Sequence, residues 1–122
     1  MSTTEIANDL LELCRQGQNM EAIEKYYADG IVSVESMSAP GMPAEMTGIS
    51  AIKGKNQWWI ENHVVHSAEM KGPLVAGHNF AIEYNYDVTQ KATGKRFVMA
   101  EIGLYTVADG KIVREQFYYS MG

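Results

Sequence analysis

Residues 96–119 read RFVMAEIGLYTVADGKIVREQFYY, two β-rich runs joined by Asp109-Gly110. An Asp-Gly pair between alternating runs is a strong hairpin signal, because the favoured two-residue turn needs positive φ at both central positions. The stretch therefore predicts a strand from about Arg96 to Val107 and another from Lys111 to Tyr119. Successive side chains of a strand alternate faces, so Glu101 shares a face with Phe97, Met99, Gly103, Tyr105 and Val107. By the same parity Glu115 travels with Val113, Phe117 and Tyr119. A third carboxylate, Glu35, falls in the β-rich run IVSVESM at 31–37. An ionised carboxylate buried without partners costs several kcal/mol or shifts its pKa until it neutralises. Carboxylates on strand faces that are otherwise apolar thus point to a pocket where protons move.

Working outward, the period of two extends upstream. Asn79 to Gln90 alternates Phe80, Ile82, Tyr84, Tyr86 and Val88 with Glu83, Asn85 and Asp87, and His66 to Ala76 is a strand broken by Gly72-Pro73. Thr93-Gly94 turns the chain into the long strand, so the second half predicts an antiparallel meander. The opposite face of the long strand carries Val98, Ala100, Ile102 and Leu104. A strand apolar on both faces predicts a second covering layer, here a homodimer through the outer sheet face.

The first half has helical periodicity. Ser2-Thr3-Thr4-Glu5 matches a capping box ahead of the stripe Ile6, Ala7, Leu10, Leu11, Leu13 and Cys14, which ends near Gly17. Asn19 caps a second helix with Met20, Ile23 and Tyr27 inward and Gly30 as its stop. A third runs from about Gly48 to Val64, with Ile49, Ile52, Trp59 and His63 on one face and Trp58 and Ile60 flanking. Between strand and helix, SMSAPGMPAEMT at 36–47 has two prolines, a glycine and three methionines, which suits an adaptable loop at a pocket rim.

Composition excludes several classes. The chain of 122 residues is 46% hydrophobic and 20% charged, a single globular domain over 1–122. A net charge of −5 and basic residues no more clustered than Lys95-Arg96 argue against nucleic acid. Neither a leader pattern nor a run of about 20 apolar residues appears, so a cytoplasmic protein with no membrane partner is expected. The lone Cys14 reads as a buried small hydrophobe. His63 and His66 straddle a helix-to-strand boundary with no Cys or Asp to complete a ligand set. Neither a phosphate loop, a nucleophile elbow nor a dinucleotide fingerprint is present, so metal-free and cofactor-free chemistry is expected.

YADGIVSVES at 27–36 resembles the YADDATVEDP pattern of ketosteroid isomerases, and TVADGKIVREQFYY at 106–119 looks like the terminal hairpin of SnoaL-like polyketide cyclases. The resemblance spans nearly the whole chain. It implies the nuclear transport factor 2-like, cystatin-like roll, an α+β fold in which three helices close a cone-shaped curved antiparallel sheet around a cavity. It further implies Glu35 where the isomerases keep the base that takes a proton from carbon beside a ketone. Two positions depart from it: Leu10 stands about where they have an oxyanion-binding tyrosine, and Gly103 near their protonated aspartate. Glu101, two residues before Gly103 on the same face, and a phenol from Tyr27 or Tyr105 are candidate substitutes.

The resulting expectation assigns Glu35 as base, Glu101 as neutral acid or oxyanion donor, and Glu115 as a third acid or tuning partner. Tyr27, Trp59, His63, Tyr84, Tyr105, Phe117 and Tyr119 form the substrate wall, and the substrate class is a small apolar carbonyl compound undergoing isomerisation, cyclisation or dehydration. Duller readings stand beside these. Glu115 pairs with a lysine across the sheet, Glu35 is a solvated strand end, the aromatic stripe is plain core, and the cavity is a non-catalytic ligand-binding or dimeric interaction module.

Overall fold

A computed structural model describes residues 1–38 and 41–120. Helix α1 (Thr3–Arg15) starts at the expected capping box, with Ser2 Oγ accepting from the Glu5 N–H and the Glu5 carboxylate accepting from the Ser2 N–H. Its stripe of Ile6, Ala7, Leu10, Leu11 and Cys14 is buried, while Leu13 packs at the margin. Each large aliphatic side chain so removed from water contributes roughly 1.5–3 kcal/mol.

Helix α2 (Asn19–Tyr26) is shorter than its glycine stop implied. Asn19 is its first residue rather than its cap, and Gln18 caps it without a side-chain bond. Tyr27 is already extended and opens strand β1 (Tyr27–Val34). Pairing decides the boundary: Tyr27 lies against Ile112 of strand β6 (Lys111–Tyr118), and its side chain is buried, whereas Asp29 and Gly30 are exposed where the register shifts. The rim stretch holds a short strand β2 (Glu45–Thr47), whose pairing with β1 the loop-like composition concealed. Its Ala39 and Pro40 lie outside the described residues.

Helix α3 (Ile49–Asn62) ends before His63, which begins strand β3 (His63–Ala76) instead of extending the helical face. The β3 strand passes through Gly72-Pro73 by a shift of register rather than a break. A Cβ on Gly72 would sit 3.1 Å from the Ala81 carbonyl oxygen, so only glycine fits there without displacing backbone. Strand β4 (Asn79–Gln90) keeps its expected limits, and β5 (Arg96–Ala108) turns through Asp109 and Gly110, both at positive φ, into β6.

The six strands form one sheet in the order β2-β1-β6-β5-β4-β3. It is antiparallel except that β1 and β6 run parallel. The sheet curls over α1, α2 and α3, with Ile6, Leu10, Ile31, Phe80, Ile82 and Ile112 fully or almost fully buried between the layers. One parity expectation fails. A bulge between Thr106 and Val107 pairs Thr106 with Arg114 but Val107 with Ile112, so Ile112 joins the inner face and Val113 leaves it. Glu115, Phe117 and Tyr119 still point inward.

Candidate active site

The inner face of the sheet and the three helices enclose a cavity of about 490 Å³. Glu35, Glu101 and Glu115 all line it. They arrive from different elements: Glu101 from the middle of β5, Glu115 from β6 beyond the bulge, and Glu35 from the residue after β1, where its N–H donates to the Ala44 carbonyl. Antiparallel pairing sets Glu101 beside Tyr84, and parallel pairing sets Glu115 beside Ser33.

Their surroundings differ. Glu115 is only 2% exposed and accepts a 2.7 Å hydrogen bond from the Tyr27 hydroxyl, so the reading of it as a surface partner of lysine is excluded. Burial raises its carboxyl pKa, while the Lys55 ammonium and the hydrogen bonds from Tyr27 and Ser33 pull the other way. Glu35 is no solvated strand end, because its Oε1 lies 3.0 Å from Lys55 Nζ in an ion pair whose side chains are 23% and 14% exposed. Glu101 makes no hydrogen bond or ion pair among the described residues. Burial first, then the charges of Glu35 and Glu115, push its carboxyl up to about 7, against the opposing pull of Lys55.

The aromatic wall is partly core and partly lining. Tyr84 and Tyr105 join hydroxyls at 2.5 Å, and burial holds both phenols, like that of Tyr27, well above their ordinary pKa, so all three are neutral donors. Burial and the nearby Glu35 charge push Tyr119 up to about 12. Trp59 and Phe117 line the cavity as well. His63 does not; it stacks on Trp59 at 4.6 Å from outside the lining, with Nδ1 2.9 Å from the Trp59 carbonyl oxygen. The reason is the helix end at Asn62, which turns His63 away from the α3 face. Leu10 lines the cavity and can donate nothing, and the space over Gly103 is filled by the rings of Tyr105 and Phe117, 2.9 and 3.0 Å from where a Cβ would lie. Burial pushes the Cys14 thiol up to about 11, consistent with an inert apolar role.

Sequence reasoning overlooked Lys55, Ser33, Asn56 and Tyr86. Lys55 Nζ is 2.5 Å from Ser33 Oγ as well as bonded to Glu35, and sits 5.5 Å above the Phe117 ring. The signal was present: Ile52, Lys55, Asn56 and Trp59 follow the three-and-four spacing of one helix face, so a lysine stood in the middle of the apolar stripe. Asn56 also lines the cavity, and its buried Nδ2 has no hydrogen-bond partner among the described residues. Among those residues no group of three His, Cys, Asp or Glu side chains could hold a metal ion, and no helix is long and apolar enough to cross a membrane.

Comparison with known proteins agrees with this architecture. The family model described as SnoaL-like domain matches residues 1–119. A protein from Mesorhizobium loti, provisionally described as a SnoaL-like polyketide cyclase and also bearing the designation carbohydrate phosphatase, is 51% identical, with 98% of this chain and 100% of that one covered and a TM-score of 0.92. An NTF2-like protein from Burkholderia thailandensis has a TM-score of 0.84 at 18% identity, over 98% of this chain and 92% of its own. A protein with a ketosteroid isomerase-like fold from Catenulispora acidiphila, solved with trimethylamine, has a TM-score of 0.73 at 24% identity, over 98% and 88%. The last two share the fold. No curated protein matches.

Proposed function

The chain belongs to the SnoaL-like domain family, and from that premise we propose that its cavity catalyses proton transfer on a small apolar carbonyl compound, without a cofactor, as an isomerase, cyclase or dehydratase. The observation that carries the reading is Glu101: a carboxyl with no partner among the described residues, facing an apolar cavity and titrating near 7. A group of that pKa both takes and returns a proton at neutral pH, the condition under which general acid-base catalysis is most effective. The expected division is thereby revised. Glu101 moves the proton, Glu35 is engaged by Lys55, and Glu115, held by Tyr27, tunes the field.

The test is deuterium exchange at carbons adjacent to the carbonyl in a panel of apolar ketones, followed by NMR. Wild type is expected to accelerate exchange for at least one ketone, and Glu101→Gln to lose about 10²–10⁴-fold of that rate. Exchange unaffected by Glu101→Gln, or absent throughout, sinks the proposal.

A second reading has a specific observation behind it. A carboxyl without a partner among the described residues, on one lining with Tyr84, Tyr86 and Trp59, suits an organic cation, and the Catenulispora acidiphila neighbour was solved with trimethylamine. A non-catalytic amine-binding cavity would then bind tighter as pH rises through about 7 and Glu101 ionises. Phosphate ester chemistry suits the cavity poorly, since among the described lining residues a single ammonium, already shared with Glu35, would have to balance a doubly charged phosphate. On the outer face, the apolar stripe of β5 supports a second copy of this chain as the covering layer.

A further inference from the structure

Among the described residues Lys55 is the one basic side chain on the cavity lining, and its donors are not all taken. An ammonium has three N–H donors. One meets Ser33 Oγ and one Glu35 Oε1; the third meets no oxygen of a described residue, and the nitrogen rides above the Phe117 ring inside the cavity. The next residue on the same helix, Asn56, contributes a buried amide nitrogen that also lacks an acceptor. Among the described residues this face of α3 therefore presents more N–H groups than there are oxygens to accept from them, on the same cavity lining as the Glu101 carboxyl. Meanwhile the two positions at which the resembling isomerases stabilise an oxyanion are occupied by Leu10 and Gly103, neither of which can donate from a side chain.

We propose that Lys55 is the oxygen-binding cation of this cavity: its ammonium receives the carbonyl oxygen of the substrate and the negative charge that gathers there when Glu101 removes the neighbouring proton. The inference rests on the acid-base reading above and names the group that reading lacks. The ionised Glu101 carboxylate takes the proton from the carbon beside the carbonyl. The C–H electron pair becomes the new C=C bond, and the C=O π pair moves onto oxygen as an enolate facing Lys55. Return of the proton from Glu101 to a carbon of the enolate restores the carbonyl and the carboxylate, so nothing is consumed. A fixed charge aimed at an oxygen in a site of low polarity is the arrangement that stabilises such an intermediate most, because it needs no reorganisation as the charge develops. Glu35 and Ser33 then act as positioning residues, holding the ammonium at the mouth of the acid group instead of letting it fold onto Glu101.

The experiment uses a naphthol, whose ionised form absorbs at longer wavelength than the neutral one, as a stable likeness of the enolate. It is run at about pH 6, where Glu101 keeps its proton. Wild type is expected to bind the probe as naphtholate. Lys55→Met is expected to bind it at least about tenfold more weakly and in the neutral form, and Lys55→Arg to keep the ionised spectrum. Because Lys55→Met leaves Glu35 unpaired, the double variant Lys55→Met/Glu35→Gln, which removes both charges of the pair, provides a folded comparison checked by its melting curve. If the probe binds wild type in the neutral form, or the double variant holds naphtholate as well as wild type, the assignment is overturned. Ketone exchange separates this from the broader reading: exchange that depends on Glu101 but is indifferent to Lys55→Met overturns Lys55 alone, whereas Lys55-dependent naphtholate binding with no ketone exchange supports the cation site and overturns the acid-base cycle.

Discussion

The two faces of β5 are both largely apolar in sequence and entirely different in the fold. On the inner face Met99, Glu101, Gly103 and Tyr105 meet helices and the neighbouring strands, and a carboxylate survives there only by titrating near 7. On the outer face Val98 is 78% and Ile102 48% exposed, and no layer of the described residues covers them. The same backbone carries both sets, so strand propensity cannot be what separates them. Enclosure does. An inner residue is constrained by volume and by the loss of water, whereas an outer one is free of both until something docks on it.

Breaking the inner face should have the largest effect, and its sign is unusual. Folding raises the Glu101 carboxyl from 4.5 to about 7, so between those values the native state holds more protons than the unfolded chain. Stability is then fullest below about pH 4.5, declines as pH climbs to about 7, and is flat above. At about 1.4 kcal/mol per unit, the shift bounds the loss at roughly 3 kcal/mol. Glu101→Gln should therefore be more stable than wild type by about 2–3 kcal/mol at pH 8 and nearly equal to it at pH 4 in urea unfolding. A difference that does not change with pH would refute the enclosure argument.

Two further substitutions sharpen the inner side. Gly103→Ala places a methyl 2.9 Å from the Tyr105 ring and 3.0 Å from Phe117. Melting should show a loss of roughly 1–3 kcal/mol, together with a changed near-ultraviolet signal from the displaced rings. Tyr27→Phe removes the donor to Glu115 Oε2. It should cost about 1 kcal/mol at low pH, with Glu115 protonated, and more at high pH, with it ionised, since that hydrogen bond lowers a carboxyl pKa that burial raises. A cost equal at both pH values would mean that Glu115 does not change charge between them.

Breaking the outer face should do least to folding. Val98→Glu or Ile102→Glu is expected to change the stability of the isolated subunit by no more than about 0.5 kcal/mol. Sedimentation is the sharper measurement: wild type should run as a dimer and the variants toward monomer. A wild-type monomer at every concentration would leave the outer stripe without a covering layer.

Much of the architecture was legible because local chemistry suffices for it. Ser2 and Glu5 cap α1 through bonds within one turn, Asp109 and Gly110 supply the two positive φ values of a hairpin, and β4 ends where its alternation ends. The misread boundaries all depend on distant partners. Tyr27 leaves α2 because Ile112 pairs with it, and His63 belongs to β3 because Gln90 does. Val113 turns outward through a bulge that no local parity contains.

The candidate site divides the same way. Alternation along each strand was enough to set Glu101 among apolar residues and to mark the outer stripe, because side-chain direction in a strand follows from backbone geometry alone. That Glu35, Glu101 and Glu115 share one cavity, that Lys55 crosses from α3 to bind Glu35 and Ser33, and that Glu101 is left without a partner among the described residues were decided only by the tertiary structure. Electrostatic energy depends on separation in space and on the water excluded between charges, and neither quantity exists until the sheet has curled over its helices.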